Sequence, residues 1–510
     1  MSLGFVVGES KPTSVTAITS RSLSVGEYIK ISIDEGEILG LVERSSVSSA
    51  AFTDVKNFHE AEESIEIADI NKRDKTFTAH IGILGFLKNL RKGQSIIPAI
   101  PPIPGTEITQ PTNQDLEEIF SPKKEGWLKI GNLLRNKEIE AKINLDKIVS
   151  RHLGILAMTG MGKSNLVSLI TKKISEVKGT VIIFDYHNDY TTLNIPNVNV
   201  IDAKINPRLL EADQFSEVLE IRENADVQQR VLRMSFTQEV KEAGEFWNKL
   251  EYEVASLVNS EDKKLKEIRT SAYRVQDIIE DAQRRFDDIL DPEVGNPMDY
   301  IKEGYTNIIN ISELSEKQAN VAMGFYLQQL LKDRKNATIA KHGKSKKQKD
   351  YKFFEPVFII LEEAHVFIPK DHDTAAKYWA AKIAREGRKF GVGLAIVSQR
   401  PRSVDLNILS QMGSFAIMKI IQEDDQRQIA SATESTSREL ISQLTSLNVG
   451  DAVLVGQWTN LPSMVHVEEV KEKKMGADQS ATKAWIKADK MKNVAVESTQ
   501  GLVQKDLLLD

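Results

Sequence analysis

The 510-residue chain contains no cysteine. Disulfides and thiolate-bound metals are therefore excluded, and a reducing interior suits it. No apolar run approaches the roughly 18 residues of a membrane span, and the N-terminal MSLGFVVGES lacks a basic region followed by a long apolar core. Nor is positive charge in surplus: 67 Lys and Arg face 73 Asp and Glu, a net charge of −6. A protein coated in basic surface is excluded, so nucleic acid, if bound, must meet positive charge localised in a ring or groove. No internal repeat is present. With 41% hydrophobic and 27% charged residues, the composition predicts a cytoplasmic globular protein, and the length predicts two to four domains.

What is present changes character along the chain. Phe5–Val7, Ser14–Ile18, Tyr28–Ile33, Ile38–Val42, Ser64–Ile67 and Phe77–Leu84 read as short strands, with Asp34-Glu35-Gly36 as a turn, and predict a small barrel or sandwich. The proline cluster Pro98–Pro111 predicts a stiff extended connector. From Arg151 onward strands alternate with helices, the pattern of a parallel sheet: Thr180–Asp185, Val198–Asp202, Thr306–Ile311, Pro356–Leu361, Gly393–Val397 and Phe415–Ile420 are the strands. Between Pro207 and Tyr305 the pattern is helical without strand candidates, and some hundred residues is too long for a βα loop, so a helical subdomain is expected. Ala481–Lys492 reads as one amphipathic helix. Lys341–Lys349 (KHGKSKKQK) reads as a solvated loop, with DNA or partner contact as the alternative.

The most informative stretch is Ala157-Met-Thr-Gly-Met-Gly-Lys-Ser164. It follows the apolar run His152–Ala157 and leads into an amphipathic helix, as a phosphate-binding loop requires: backbone N–H groups wrap a phosphate at the positive end of a helix. Thr159, Gly160, Met161, Gly162, Lys163, Ser164 and Asn165 form the candidate nucleotide site. Lys163 would reach the β- and γ-phosphates and Ser164 would bind Mg²⁺. Ala157 stands where the motif carries its first glycine, which is tolerable where φ is negative.

Hydrolysis further requires a metal carboxylate and a base for the attacking water. The strand Phe354–Leu361 delivers Glu362 and Glu363 to its C-terminal end, where parallel sheets collect ligands. Glu362 is the metal candidate and Glu363 the base. Asp185 ends another strand, as a positioning acid or a plain strand-end acid. His187 and Asp189 have metal-ligand chemistry but no clustered histidine to support a site. Gln399 ends the strand Gly393–Gln399 and is a candidate sensor of the γ-phosphate. The basic turn Arg400-Pro-Arg402 follows, able to contact phosphates of nucleotide or DNA. Arg385 and Arg388 share a helix face before that strand. An exposed arginine pair is ordinarily solvated surface; in a ring, Arg388, and Arg151 at the start of the strand leading to the phosphate loop, could reach a neighbouring subunit's nucleotide.

Together these segments resemble the HerA family of the FtsK–HerA P-loop ATPases, over nearly the whole chain. Gly36-Glu-Ile-Leu-Gly-Leu-Val-Glu43 is similar to the family's opening barrel segment. HLGILAMTGMGKSN, IIFDYHNDY, IILEEAHVFIP and AREGRKFGVGLAIVSQRP are similar to its ATPase motifs in order. The resemblance implies an N-terminal β-barrel (1–97), a connector (98–150), a RecA-like core in two parts (151–206 and 306–460) split by a helical insertion (207–305), and a C-terminal helical extension (461–510). It also implies ATP and Mg²⁺ as cofactors and a homohexamer threading double-stranded DNA. The partner it implies is a NurA-type nuclease, within an archaeal double-strand-break repair complex. By resemblance Lys163, Ser164, Glu363, Asp185 and Gln399 carry the family's roles within a subunit, and Arg388 and Arg151 act between subunits, with Lys370 a weaker candidate of that kind. Glu362 departs from the more usual aspartate. The competing readings are a protein-remodelling ring, an ATP-gated clamp without turnover, and a membrane-tied pump.

Overall fold

The computed structural model describes residues 2–70, 74–222, 224–259, 267–286, 289–341, 351–433 and 438–471, with positions 482 and 485. Lys341–Lys349, beyond its first residue, and most of Ala481–Lys492 lie outside the described residues. Six strands, β1 (Ser2–Lys11), β2 (Ser14–Thr19), β3 (Tyr28–Ile33), β4 (Gly36–Ser49), β5 (Lys75–Phe86) and β6 (Glu107–Thr109), close a barrel in the order β1-β2-β5-β4-β3-β6. Its interior is a core of Val6, Val15, Ala17, Ile29, Ile31, Ile38, Ala79 and Ile81 on alternate strand positions.

Two expectations fail here. Ser64–Ile67 is not a strand but part of helix α1 (Phe58–Ile70). The flanking Ala61, Glu62, Glu63 and Ala68 are helix formers, and the isoleucine pair is too short to overrule them. The proline cluster is not connector throughout, because Glu107–Thr109 inside it is β6, pairing with both β1 and β3 to close the barrel. Its prolines flank that strand and take no ladder position.

The remaining strands build one 11-stranded sheet: β7 (Trp127–Leu133), β8 (Glu140–Asn144), β9 (Leu153–Leu156), β10 (Thr180–Asp185), β11 (Val198–Asp202), β12 (Thr306–Asn310), β13 (Val357–Leu361), β14 (Val392–Ser398), β15 (Ser414–Ile417), β16 (Asp451–Gly456) and β17 (Ser463–Val467), in the order β11-β12-β10-β13-β14-β9-β15-β16-β17-β7-β8. From β11 to β15 every pairing is parallel; from β15 to β8 every pairing is antiparallel. Residues 98–150 are therefore more than a connector, since β7 and β8 extend the ATPase sheet. Likewise β17 places the start of the 461–510 stretch within the sheet.

Alternation along the central strands feeds two cores. Ile182 and Phe184 of β10, with Val357, Ile359 and Leu361 of β13, face the helical insertion, helix α2 (Glu316–Lys341) and helix α3 (Ala375–Glu386). Val181, Ile183, Phe358 and Ile360 face the other side, under the helix Lys163–Glu176. Covering on both faces is why these strands read as unbroken apolar runs. Among the described residues no helix is long and apolar enough to cross a membrane.

Candidate nucleotide-hydrolysis site

β9 is buried at all four positions and aims the following loop at the C-terminal end of the sheet. Ala157 is fully buried and its N–H donates to the Ser398 carbonyl (3.2 Å). It is not among the residues with positive φ, so alanine is accommodated where the motif carries glycine. Gly162, by contrast, has φ +102 and lies against Gly450 and Met418, a conformation in which any side chain would be strained. The helix Lys163–Glu176 starts at the next residue, directing its positive end at the loop.

β13 ends at the two acids, both buried. Neighbouring side chains normally diverge, but Glu363 adopts a left-handed conformation (φ +46, ψ +43). A non-glycine residue held there costs about 1–3 kcal/mol and persists only where its surroundings impose it. Glu363 Oε1 lies 3.0 Å from Lys163 Nζ and 3.8 Å from His187 Nε2, while Oε2 is 3.3 Å from His365 Nδ1. Glu362 accepts a hydrogen bond from the Tyr190 hydroxyl. Burial raises the Glu362 pKa above the usual carboxylate range, with Glu363 and Asp189 adding to the rise and Lys163 and Tyr190 opposing it. Burial, with the facing Glu362 carboxylate, pushes the Tyr190 phenol well up.

Asp185, at the end of β10, organises a turn instead of facing the loop. Its carboxylate accepts the N–H groups of Asp189 (2.9 Å) and Tyr190 (2.8 Å). Burial raises its pKa against the pull of those bonds. The turn delivers Asp189 Oδ2 to 3.4 Å from the Ser164 hydroxyl and Tyr190 to Glu362. Residues the sequence reading set aside thus join the site. The signal was the Asp185-x-x-x-Asp189 spacing of a tight turn after a strand that neighbours β13.

Ser164, the buried Glu362 and the half-buried Asp189 form a set of hard oxygen donors, which fits Mg²⁺. No group of three or more His, Asp or Glu among the described residues is arranged to hold a metal unaided.

Gln399 lies just past β14, half-buried, and its amide oxygen accepts the Thr159 hydroxyl of the loop. Ser398 Oγ is 3.3 Å from His365 Nδ1 and accepts the Arg400 N–H (3.1 Å). Burial lowers the His365 pKa, with Arg400 and Lys163 adding to the fall against Glu363. The Met161 carbonyl accepts the Gly450 N–H (3.1 Å). The Asn165 side chain donates to the Glu468 carbonyl (2.9 Å) and accepts the Val470 N–H (2.8 Å), so it fastens the following chain and leaves its backbone for phosphates.

Arg151 and Arg388 lie at the other end of the strands. Arg151 closes helix α4 (Leu145–Arg151) ahead of β9, and Arg388 sits exposed in the turn Gly387–Phe390 ahead of β14. At about 3.3 Å per residue, β14 puts about 20 Å between Arg388 and Gln399. Lys370 is exposed beside Ser403, whose carbonyl its N–H engages (3.0 Å). Arg402 contacts Asp425 and, at 3.9 Å, Asp424.

Comparison with known proteins agrees with this fold. The family described as "Helicase HerA, central domain" matches residues 128–330. The DNA double-strand break repair helicase HerA of Sulfolobus acidocaldarius is 35% identical over 503 residues, covering 96% of this chain and 97% of that protein. The protein of the same name from Sulfurisphaera tokodaii is 36% identical over 498 residues, covering 96% and 97%. Among solved structures, VirB4 of Thermoanaerobacter pseudethanolicus shares the fold at 15% identity, with a TM-score of 0.50, covering 69% of this chain and 99% of that one. The chain belongs to the HerA helicase family, and the enzyme built on it is a P-loop ATPase of the helicase class.

Proposed function

We propose that this protein is an ATP-driven double-stranded DNA translocase and helicase, working as a homohexameric ring with a NurA-type nuclease in end resection and recombinational repair. The observation that carries the reading is the division of the catalytic set. Lys163, Ser164, Glu362, Glu363 and Gln399 lie at one end of the sheet, and Arg151 and Arg388 at the other. A subunit so built supplies half of a site to each of two neighbours, which a ring satisfies.

In hydrolysis the loop amides and Lys163 hold the β- and γ-phosphates, the lysine exchanging its bond with Glu363 for phosphate oxygens. Ser164 and Glu362, with Asp189 behind them, would hold Mg²⁺, which when bound neutralises charge on the phosphates. Glu363, freed from the lysine, orients the attacking water and takes its proton as the oxygen bonds to the γ-phosphorus and ADP departs. Gln399, held by Thr159, contacts the γ-phosphate and relays its loss to β14. Arg388 and Arg151 of the adjacent subunit spread the charge of the transition state. The acidic net charge is reconciled with DNA binding if basic side chains line the channel, giving sequence-blind, salt-sensitive contacts.

The test is the steady-state ATPase rate with Mg²⁺, with and without linear duplex DNA. Stimulation by duplex that fades with added salt is expected. Turnover indifferent to DNA would transfer the reading to a protein-remodelling ring.

A further inference from the structure

His152 connects the two arginines in the chain and in space. It follows Arg151 with φ 65 and ψ 164, a backbone region nearly reserved for glycine. Its side chain is buried at 2% exposure, so the conformation is not a relaxed surface turn. The backbone N–H donates to the Ile148 carbonyl (2.9 Å), closing α4. The imidazole Nδ1 accepts the Leu394 N–H of β14 at 3.0 Å, immediately ahead of the first β9–β14 pair, Leu153 with Ala395. Since Nδ1 accepts, the neutral ring carries its proton on Nε2. That atom faces the Ala384 carbonyl in the last turn of α3, short of a formed hydrogen bond.

Its Cε1 lies against Gly387, 3.5 Å from where a side chain there would begin, and Gly387 directly precedes Arg388. On the other flank the Arg151 carbonyl accepts the Gly413 N–H (2.6 Å) ahead of β15. One buried ring therefore joins the end of α4, the start of β14 and the turn carrying Arg388. The strands it joins are those whose opposite ends carry the phosphate loop and Gln399.

We propose that His152 is a positioning residue that holds Arg151 and Arg388 as one unit, in fixed relation to the strands of the phosphate loop and the sensor. This rests on the reading that these arginines act on a neighbour's nucleotide. Asparagine can offer an acceptor near Nδ1, but it is too short to pack against Gly387 or reach toward Ala384.

The experiment is a double-mutant cycle in DNA-stimulated ATPase among wild type, His152→Asn, Arg388→Lys and the pair, with nucleotide affinity and melting temperature measured alongside. His152→Asn is expected to lower kcat by ~10- to 100-fold with KM for ATP held within about twofold, since misplacing a catalytic group costs rate more than binding. The double variant is expected to be no slower than the slower single one. Losses that multiply would overturn the proposal while leaving the arginine reading intact. A silent Arg388→Lys beside a silent Arg388→Ala would overturn that reading, and this proposal with it. If the asparagine variant fails to assemble, His152→Gly, which relieves the backbone, enters the same cycle; unchanged kcat there would equally overturn the proposal.

Discussion

The two ends of the central strands differ in how their charges are satisfied. At the C-terminal end the acids are buried and joined: Lys163 meets Glu363, Tyr190 meets Glu362, and Asp185 holds the turn that presents Asp189 and Tyr190, while Thr159 meets Gln399 nearer the surface. At the N-terminal end Arg385 and Arg388 are exposed, and with Arg151 they form no ion pair among the described residues. What is fixed there is the backbone beneath them, through His152, Gly387 and Gly413. One end gathers acids around the phosphate loop; the other presents arginines on a backbone tied by hydrogen bonds and close packing. The contrast is what arginines acting on a neighbouring subunit's nucleotide, as proposed above, would require.

The largest effect is expected from breaking the first end. Glu363→Gln should cut hydrolysis by ~10³-fold, within the range general bases supply, with nucleotide binding retained. Phosphate release together with binding of a non-hydrolysable analogue checks it, and near-full turnover would remove Glu363 from the base role. Breaking the second end, Arg388→Ala should lower kcat by ~10²-fold or more without loss of nucleotide affinity. Unchanged single-turnover rates would refute its part in the transition state.

A finer comparison concerns the support of the metal acid. Tyr190→Phe should raise the Mg²⁺ concentration for half-maximal activity by about tenfold, as losing the partner of a metal ligand does elsewhere. An unchanged Mg²⁺ titration would separate Tyr190 from the metal role of Glu362.

The smallest effect lies at the opposite end and is one of stability. The unfolded chain protonates His152 near 6.5, whereas burial lowers the folded value to about 4. Between these values the unfolded state binds the extra proton, so stability is full above 6.5 and falls with acidification, by about 1 kcal/mol per pH unit at most. The melting temperature of wild type should drop more steeply over this window than that of His152→Asn. Parallel curves would contradict a neutral buried imidazole.

Much of this was legible in the sequence because local signals carried it. The Gly-Lys-Ser turn between strand and helix, the paired glutamates after an apolar strand and the terminal Gln399 each sit at a strand end that periodicity locates. The barrel was legible in five of its strands. What the sequence hid depends on contacts between distant segments. Tyr190 meets Glu362 across 172 residues, and Asp189 reaches Ser164 only once Asp185 has folded the turn. β7 and β8 join the sheet beside β17, more than 300 residues away, so no local pattern identifies them as ATPase strands. Asn165 lies in the right place for phosphate, yet its amide is engaged by a backbone segment the motif does not mention.

The most direct test mixes two inactive proteins. Subunits carrying Arg388→Ala retain an intact phosphate loop with Glu363, and subunits carrying Glu363→Gln retain intact arginines. Mixed rings would place one beside the other and rebuild complete sites at some interfaces. The account predicts that ATPase activity rises on mixing and passes through a maximum at intermediate ratios. Mixed rings verified by mass that stay as inactive as either parent at every ratio would contradict it and return the arginine to its own subunit.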